Sequence, residues 1–370
     1  MASTGVSTES FATEKKQEHT GQKLRLAFIG CGGISELHIK TLQKFADVEI
    51  VGGADLNPER LEVMKNKYGF TKLYKDYHEM LKELKPAAVS VCTPNGVHAP
   101  ATIAALAAGA HVITEKPMAM TPRECQDMID AAKKANKKLV AGFQYRYHPA
   151  TQMLKRARDA GEFGNIMFVK CQALRRRGIP NWGVFGQKHL QGGGPMIDIG
   201  VHVIEMAHYV MGSPRPIAAS GKTWTYMGNK PSDVASQWPN WDWKTYTVED
   251  LAIGQIRFEN GALMQIEAAF AAHIEKDVWN FSLVGDKGGC NWDPPALFAD
   301  HFGTMINSKP AFIADGNFDF LFQQKLRNFV DGCLTGSALE APGEAGMAVQ
   351  KILDGVYRSS DAGGKEVGIE

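Results

Sequence analysis

Short apolar runs of strand length alternate with stretches of helical spacing over the first third of the chain. Residues 24–29, 48–54, 87–92, 111–114 and 138–142 are predicted strands. Residues 34–45, a segment opened by Asn57-Pro58, residues 99–108 and residues 122–135 are predicted helices. Such alternation predicts an α/β fold with a parallel, doubly wound sheet, whose ligands sit beyond the carboxyl ends of the strands. After Arg146 the rhythm changes. A helix (149–160), a strand (166–174), a Gly192-Gly193-Gly194 loop and a helix (195–211) precede a strand-rich stretch. Its clearest feature is a hairpin, 251–258 and 262–270, turning at Asn260-Gly261. A strand at 281–284 with a turn at 286–289 comes next, and helices at 318–333 and 343–359 close the chain. This half reads as an α+β domain with a large, mainly antiparallel open sheet. Trp224, Trp238, Trp241 and Trp243 fall in an irregular insertion between its strands.

The predicted organisation is a flexible polar tail (1–22), a dinucleotide-binding domain (23–146) and a substrate-binding and oligomerisation domain (147–370). The tail is rich in Ser, Thr, Glu and Lys and lacks the apolar core of a secretory signal. At 44% hydrophobic and 22% charged residues, the chain has the balance of a soluble globular protein. Its 41 Lys and Arg against 40 Asp and Glu leave a net charge of +1, with no global field for nucleic acid or an anionic membrane. No apolar stretch is long enough for a membrane-spanning helix. Six cysteines without a CxxC pair read as reduced thiols, and so as a cytoplasmic protein.

Local motifs then narrow the chemistry. Gly30-x-Gly32-x-x-Ser35 sits between a strand and a helix, where Gly30 permits a tight turn and Gly32 lets a pyrophosphate approach the helix N-terminus. Gly33 and Ile34 belong to the same turn, and Ser35 replaces the usual third Gly or Ala. Asp55 lies 55 − 35 = 20 residues on, at the end of the second strand, where a carboxylate accepts from a ribose 2′-OH and repels a 2′-phosphate. That favours NAD over NADP, although Arg60 could reach the same pocket. Thr93, Pro94, Asn95 and His98 follow the third predicted strand, as a helix-entry loop or as a cofactor contact. Glu115-Lys116-Pro117 follows the next strand, with Lys116 held in the cleft and suited to proton transfer or to polarising a hydroxyl. Asp198 and His202 are spaced i, i+4 at the start of a helix and share one face, so both can reach one substrate. A third ligand at convincing spacing is missing, so no metal is expected.

Together, Gly30–Ser35, Thr93-Pro94-Asn95, Glu115-Lys116-Pro117, Tyr145-Arg146 and the run from Gly193 to His202 resemble the glucose–fructose oxidoreductase / inositol dehydrogenase / MocA family. The resemblance extends from about Leu24 to the C-terminus. It implies a catalytic trio of Lys116, Asp198 and His202, with the His as proton acceptor, the Lys assisting at the same hydroxyl, and the Asp orienting the substrate or His202. It also implies an NAD cofactor, exchanged each turnover or held and recycled by a keto co-substrate. Dimers, tetramers or larger homo-oligomers through the open sheet are implied too. Tyr145, Arg146, Arg176, Trp182, Asp198 and His202 are the expected substrate contacts, drawn in part from the stretch holding Gln172, Arg175, Arg176, Arg177 and Trp182. The Arg-x-Gly-Ile-Pro-x-Trp-Gly stretch resembles members that oxidise glucosides at C3 and anhydrosugars. The expected function is therefore NAD-dependent oxidation of a secondary hydroxyl of a sugar, glycoside or cyclitol. Two alternatives stay open: a glycosidase that oxidises C3 transiently on bound NAD, and a non-catalytic nucleotide-binding sensor.

Overall fold

The computed structural model describes Gly21 and residues 23–370; the rest of the polar tail expected over 1–22 lies outside the described residues. Strand and helix alternate as the apolar pattern predicts. The order is β1 (Leu24–Ile29), α1 (Gly33–Leu42), β2 (Val48–Ala54), α2 (Pro58–Tyr68), β3 (Leu73–Tyr74), α3 (Tyr77–Leu84), β4 (Ala88–Val91), α4 (Asn95–Ala107), β5 (His111–Thr114), α5 (Pro122–Ala135) and β6 (Leu139–Ala141). The boundaries have local causes. Asn57 caps α2 by accepting from the Glu59 N–H with Pro58 at the first helical position, and Thr121 with Glu124 forms a capping box ahead of Pro122. β3 and α3 are absent from the predicted set, and α4 starts four residues earlier than predicted.

These six strands form one parallel sheet in the order β3-β2-β1-β4-β5-β6. The direction of winding reverses between β1 and β4, which opens a crevice at their carboxyl ends. Gly30 makes that junction possible. Its φ is +87°, and a Cβ there would lie 2.6 Å from the Cys92 carbonyl carbon and oxygen.

A 3₁₀ turn (Gln144–Tyr147) leads into the second part. It comprises α6 (Pro149–Asp159), β7 (Ile166–Leu174), α7 (Lys188–Gln191), α8 (Val201–Val210), β8 (Pro216–Trp224), β9 (Leu251–Phe258), β10 (Leu263–Ala269), β11 (Val278–Gly285), β12 (Gly288–Asn291), β13 (Ala296–His301), β14 (Thr304–Ser308), α9 (Phe318–Thr335), α10 (Gly343–Asp361) and β15 (Val367–Gly368). The nine strands pair in the order β14-β13-β12-β11-β7-β10-β9-β8-β15, antiparallel except for β7 with β10. Along β9, Ala252, Gly254, Ile256 and Phe258 are buried while Ile253, Gln255 and Arg257 are exposed, so one face is covered and one is open. α8 and α10 cover the inner face. Trp224 ends β8 rather than lying in the insertion, which holds Trp238, Trp241 and Trp243.

The two closing helices do more than cover the second sheet. α9 packs on α1 and β1, and α10 on α5 and β6. The Arg327 guanidinium donates twice to the Asp47 carboxylate, and the Ala141 N–H donates to the Ala341 carbonyl. Residues after 317 therefore rejoin the first sheet. Among the described residues, no helix is long and apolar enough to cross a membrane.

Candidate active site

A cavity of about 590 Å³ opens where the crevice of the first sheet meets the inner end of the second. Ile34, Thr93, Asn95, His98, Glu115 and Lys116 line it from the first sheet. Gln144, Tyr145, Arg175, Trp182, Asp198, His202, Asp277 and Trp279 line it from the linking 3₁₀ turn and the second part of the chain. Lys116 follows β5 immediately, and its Nζ donates to Asp198 Oδ1 at 2.9 Å and to the Asp198 carbonyl at 2.8 Å. Two of its three protons are thus committed, and the third is free to point into the cavity.

Asp198 lies in a π-helical turn, Met196–Gly200, rather than in the opening of an ordinary α-helix. Glu249 holds that turn in place: its carboxylate accepts from the Gly194 and Met196 N–H groups and from the Tyr357 hydroxyl. Gly194 has no side chain to spare, because a Cβ would fall 2.3 Å from the Glu249 carbonyl oxygen. The sequence predicts Asp198 and His202 on one face, and both do line the cavity, but the Asp198 carboxylate binds Lys116. His202, on α8, packs edge-on against Tyr145 at 5.1 Å and lies 5.9 Å from Trp279. Its Nδ1 is buried without a hydrogen-bond partner among the described residues. Burial, and then the Lys116 charge, holds its imidazolium well below the usual range, so the ring is neutral at pH 7.

The Gly30–Gly33 turn and Asp55 stand at the ends of the adjacent strands β1 and β2 and do not line this cavity. Space above Gly32 and Gly33 is open, since a Cβ at either would meet nothing within 4 Å, and α1 presents its N-terminus there. This is the cradle a pyrophosphate needs, with Asp55 one strand away for a ribose. Asp55 also has a local duty, accepting from the Cys31 N–H at 2.7 Å and the Asn57 N–H at 2.8 Å. Ser35 fits the third position by donating its hydroxyl to the Gly32 carbonyl.

Several expected contacts have partners within the protein. Arg146 is buried and donates to Glu205 Oε2 at 2.8 Å and to the Glu340 carbonyl at 2.6 Å, stacked on Phe143 and Tyr209, and it does not line the cavity. Arg176 is exposed and bound to the Glu275 carbonyl, while its neighbour Arg175 reaches the cavity. The alternation of side chains along and beyond β7 exchanges the two. Arg60 is taken up by the Cys31 carbonyl and Glu36, bracing the glycine turn from outside. His98 spans the Thr93 and Pro117 carbonyls and ties two cavity loops together. Asn95 does the same between α4 and the Gln191 carbonyl. Glu115 is deeply buried, with Oε1 receiving Lys325 Nζ at 2.6 Å and facing His38 Nε2 at 2.9 Å. Sequence reasoning missed Glu249, Tyr357, His38, Lys325, Asp277 and Trp279. Only Trp279 carried a signal, as an inward-facing aromatic near the start of a predicted strand.

Residues 24–143 match an oxidoreductase family with an NAD-binding Rossmann fold, GFO_IDH_MocA, and residues 151–291 match the GFO/IDH/MocA C-terminal domain. Over 350 residues the chain is 36% identical to a D-glucoside 3-dehydrogenase of Escherichia coli (strain K12), covering 94% of this chain and 98% of that one. It is 29% identical to a myo-inositol 2-dehydrogenase of Thermotoga maritima over 75% of each chain. Among solved structures, a levoglucosan dehydrogenase in complex with NADH superposes with a TM-score of 0.79 at 24% identity, covering 94% of this chain and 100% of that one. The last is a likeness of fold.

Proposed function

The chain belongs to the GFO/IDH/MocA family of NAD-binding oxidoreductases, and from that premise we propose that it oxidises a glucoside at C3 to the 3-keto product. One observation carries the reading: a neutral buried imidazole and a lysine–carboxylate pair, brought from both sheets, converge on one cavity beyond the carboxyl ends of β4 and β5. The 36% identity to a D-glucoside 3-dehydrogenase over nearly the whole chain supports the choice of substrate and carbon.

When bound, NAD supplies the hydride acceptor. Gly32, Gly33 and the N-terminus of α1 would hold its pyrophosphate, Asp55 its ribose, and Ile34, Thr93 and Asn95 the arm entering the cavity. His202 takes the proton of the reacting hydroxyl and is ready at pH 7, because burial keeps it neutral. Lys116 directs its remaining N–H at the same oxygen and stabilises the charge that develops there. Asp198 fixes Lys116 through Oδ1, a role beside the expected one of orienting the substrate or His202. Tyr145, Trp182 and Trp279 offer ring faces to the C–H face of a pyranose, and Arg175, Asp277 and Gln144 offer polar groups to its hydroxyls. The glycine turn and Asp55 belong to residues 23–146 and the base to residues 147–370, so the two parts meet at the reaction.

The open face of the second sheet exposes Ile253, Val284 and Phe298, and copies of the chain pair through it in this reading. All six thiols are unpaired, as a reducing cytoplasm leaves them.

The test is a screen of glucosides, sugars and cyclitols with NAD, with and without a keto acceptor, followed by location of the new carbonyl by NMR. A 3-keto glucoside with NADH formed, or with acceptor reduced, supports the reading. Aglycone release without net oxidation would replace it with the glycosidase alternative. His202→Ala should cost about 100-fold or more in kcat with NADH affinity unchanged.

A further inference from the structure

Lys325 is the least expected side chain in α9. Its helix buries Leu321, Phe322, Leu326, Phe329 and Val330, and Lys325 stands in the same buried row with 0% exposure. A Leu or Met would pack there without the cost of desolvating an ammonium. The ammonium donates to Glu115 Oε1 at 2.6 Å, lies 3.1 Å from His38 Nε2, and sits 4.0 Å from the centre of the Phe322 ring. Burial and the Lys325 charge push the His38 imidazolium down to about 4, so His38 is neutral. It donates from Nε2 to Glu115 while Nδ1 receives the Ser90 hydroxyl at 2.9 Å. The cluster thus holds one positive and one negative charge, both withdrawn from water.

The cluster ends at the reacting groups. Glu115 Oε2 accepts the Lys116 N–H at 3.3 Å, and Lys116 Nζ in turn holds Asp198. Room for Glu115 depends on Gly142, where a Cβ would fall 2.9 Å from Oε1. Resting on the catalytic reading of His202 and Lys116, we infer that Lys325 is a positioning residue: it clamps Glu115, and through it the backbone of Lys116, and it balances a buried carboxylate that would otherwise bias the base. The charges around His202 are Lys116 and Glu115 at the end of β5, Asp198 in the π turn, Arg175 beyond β7 and Lys325 on α9, with the Tyr145 ring against it. Glu115 itself faces His38, Lys325, Lys116, Cys92 and His98. With Lys325 and Glu115 cancelling, His202 faces Lys116 and Arg175 against Asp198 alone. This gives Lys325 on α9, 210 residues after Glu115, a stake in the chemistry.

Kinetics against pH test the inference on the full-length enzyme with NAD and the glucoside it turns over. Lys325→Met leaves the Glu115 charge unbalanced and should raise the acid limb of kcat/KM by about half to one pH unit. It should also lower kcat about tenfold, with the NADH dissociation constant within twofold by fluorescence. Glu115→Gln keeps the acceptor but leaves the ammonium unbalanced, and should move the limb the other way. The double variant Glu115→Gln/Lys325→Met should bring the limb back to its wild-type position. Folded variants whose limbs stay put, with only thermal stability changed, would overturn the inference and leave Lys325 a structural residue. If Lys325→Met does not fold, an unmoved limb in Glu115→Gln overturns it equally. Failure of the wild-type enzyme to oxidise any glucoside would instead strike the catalytic reading, before any variant is compared.

Discussion

Replacing Arg146 by Met separates a structural from a substrate-binding role. Adjacent to Tyr145 in the sequence, Arg146 reads as a sugar contact, yet its guanidinium is 2% exposed and bound to Glu205 and to the Glu340 carbonyl. Arg146→Met removes two charge-assisted bonds and the stacking on Phe143 and Tyr209, together about 3 kcal/mol. Glu205 adds a pH-dependent part. Burial pushes its carboxyl up to about 7 even beside Arg146, against 4.5 in the unfolded chain. A raised carboxyl costs the folded state as pH climbs through that window, and losing Arg146 raises it further. Well below pH 7 both proteins hold Glu205 protonated, so the charge adds little to the difference. Above pH 7 the deficit widens by up to about 1.4 kcal/mol per pH unit. At pH 8 the total is about 4–5 kcal/mol, in the range for breaking a buried pair. For a chain of 370 residues, at about 2.1 cal/mol/K per residue, that lowers Tm by about 5–6 °C at pH 8 and about 4 °C at pH 6. Calorimetry or dye-reported melting at the two pH values measures it, alongside KM for the sugar. An unchanged Tm with KM raised tenfold would show that Arg146 reaches substrate after all.

Three further outcomes are expected from the site and its supports. Asp55→Ala should narrow the preference for NAD over NADP; it should also weaken NAD through the glycine turn, because the Cys31 N–H loses its acceptor, and an unchanged ratio of kcat/KM values would remove Asp55 from the ribose site. Glu249→Gln should lower kcat about tenfold through the π turn that carries Asp198, with KM little altered, since its carboxylate accepts three donors at once; wild-type kcat would detach Glu249 from the site. Denaturant midpoints should fall as pH drops from 6.5 to 4. His38 and His208 are held neutral by burial down to about 4, so the unfolded chain binds protons first, at roughly 3 kcal/mol per group by pH 4; a flat midpoint across that range would contradict their burial.

How much of the site was legible depends on how each residue is tied to its neighbours in the chain. The glycine turn, Asp55 and the Glu115-Lys116-Pro117 turn could be placed because each follows a strand directly, and a strand's end is set by its own apolar run. Asp198 and His202 could be placed together because four residues separate them, whether the turn is α or π. Arg146 and Arg176 do not line the cavity as expected, because direction, not position, decides what a side chain meets. Arg146 turns into the core and Arg176 out to water, while Arg175 takes the cavity.

The amino-acid sequence by itself determined the two sheets, the cofactor turn and the chemical types at the reacting centre. These rest on local periodicity, on turn chemistry and on residues a few positions apart. Only the tertiary structure decided that Asp198 serves Lys116, that Glu249 and Tyr357 hold the π turn, and that Lys325 answers Glu115. Each of those pairings joins segments from about 50 to more than 200 residues apart. A buried charge finds its partner through the packing of whole helices and sheets, which no local pattern records.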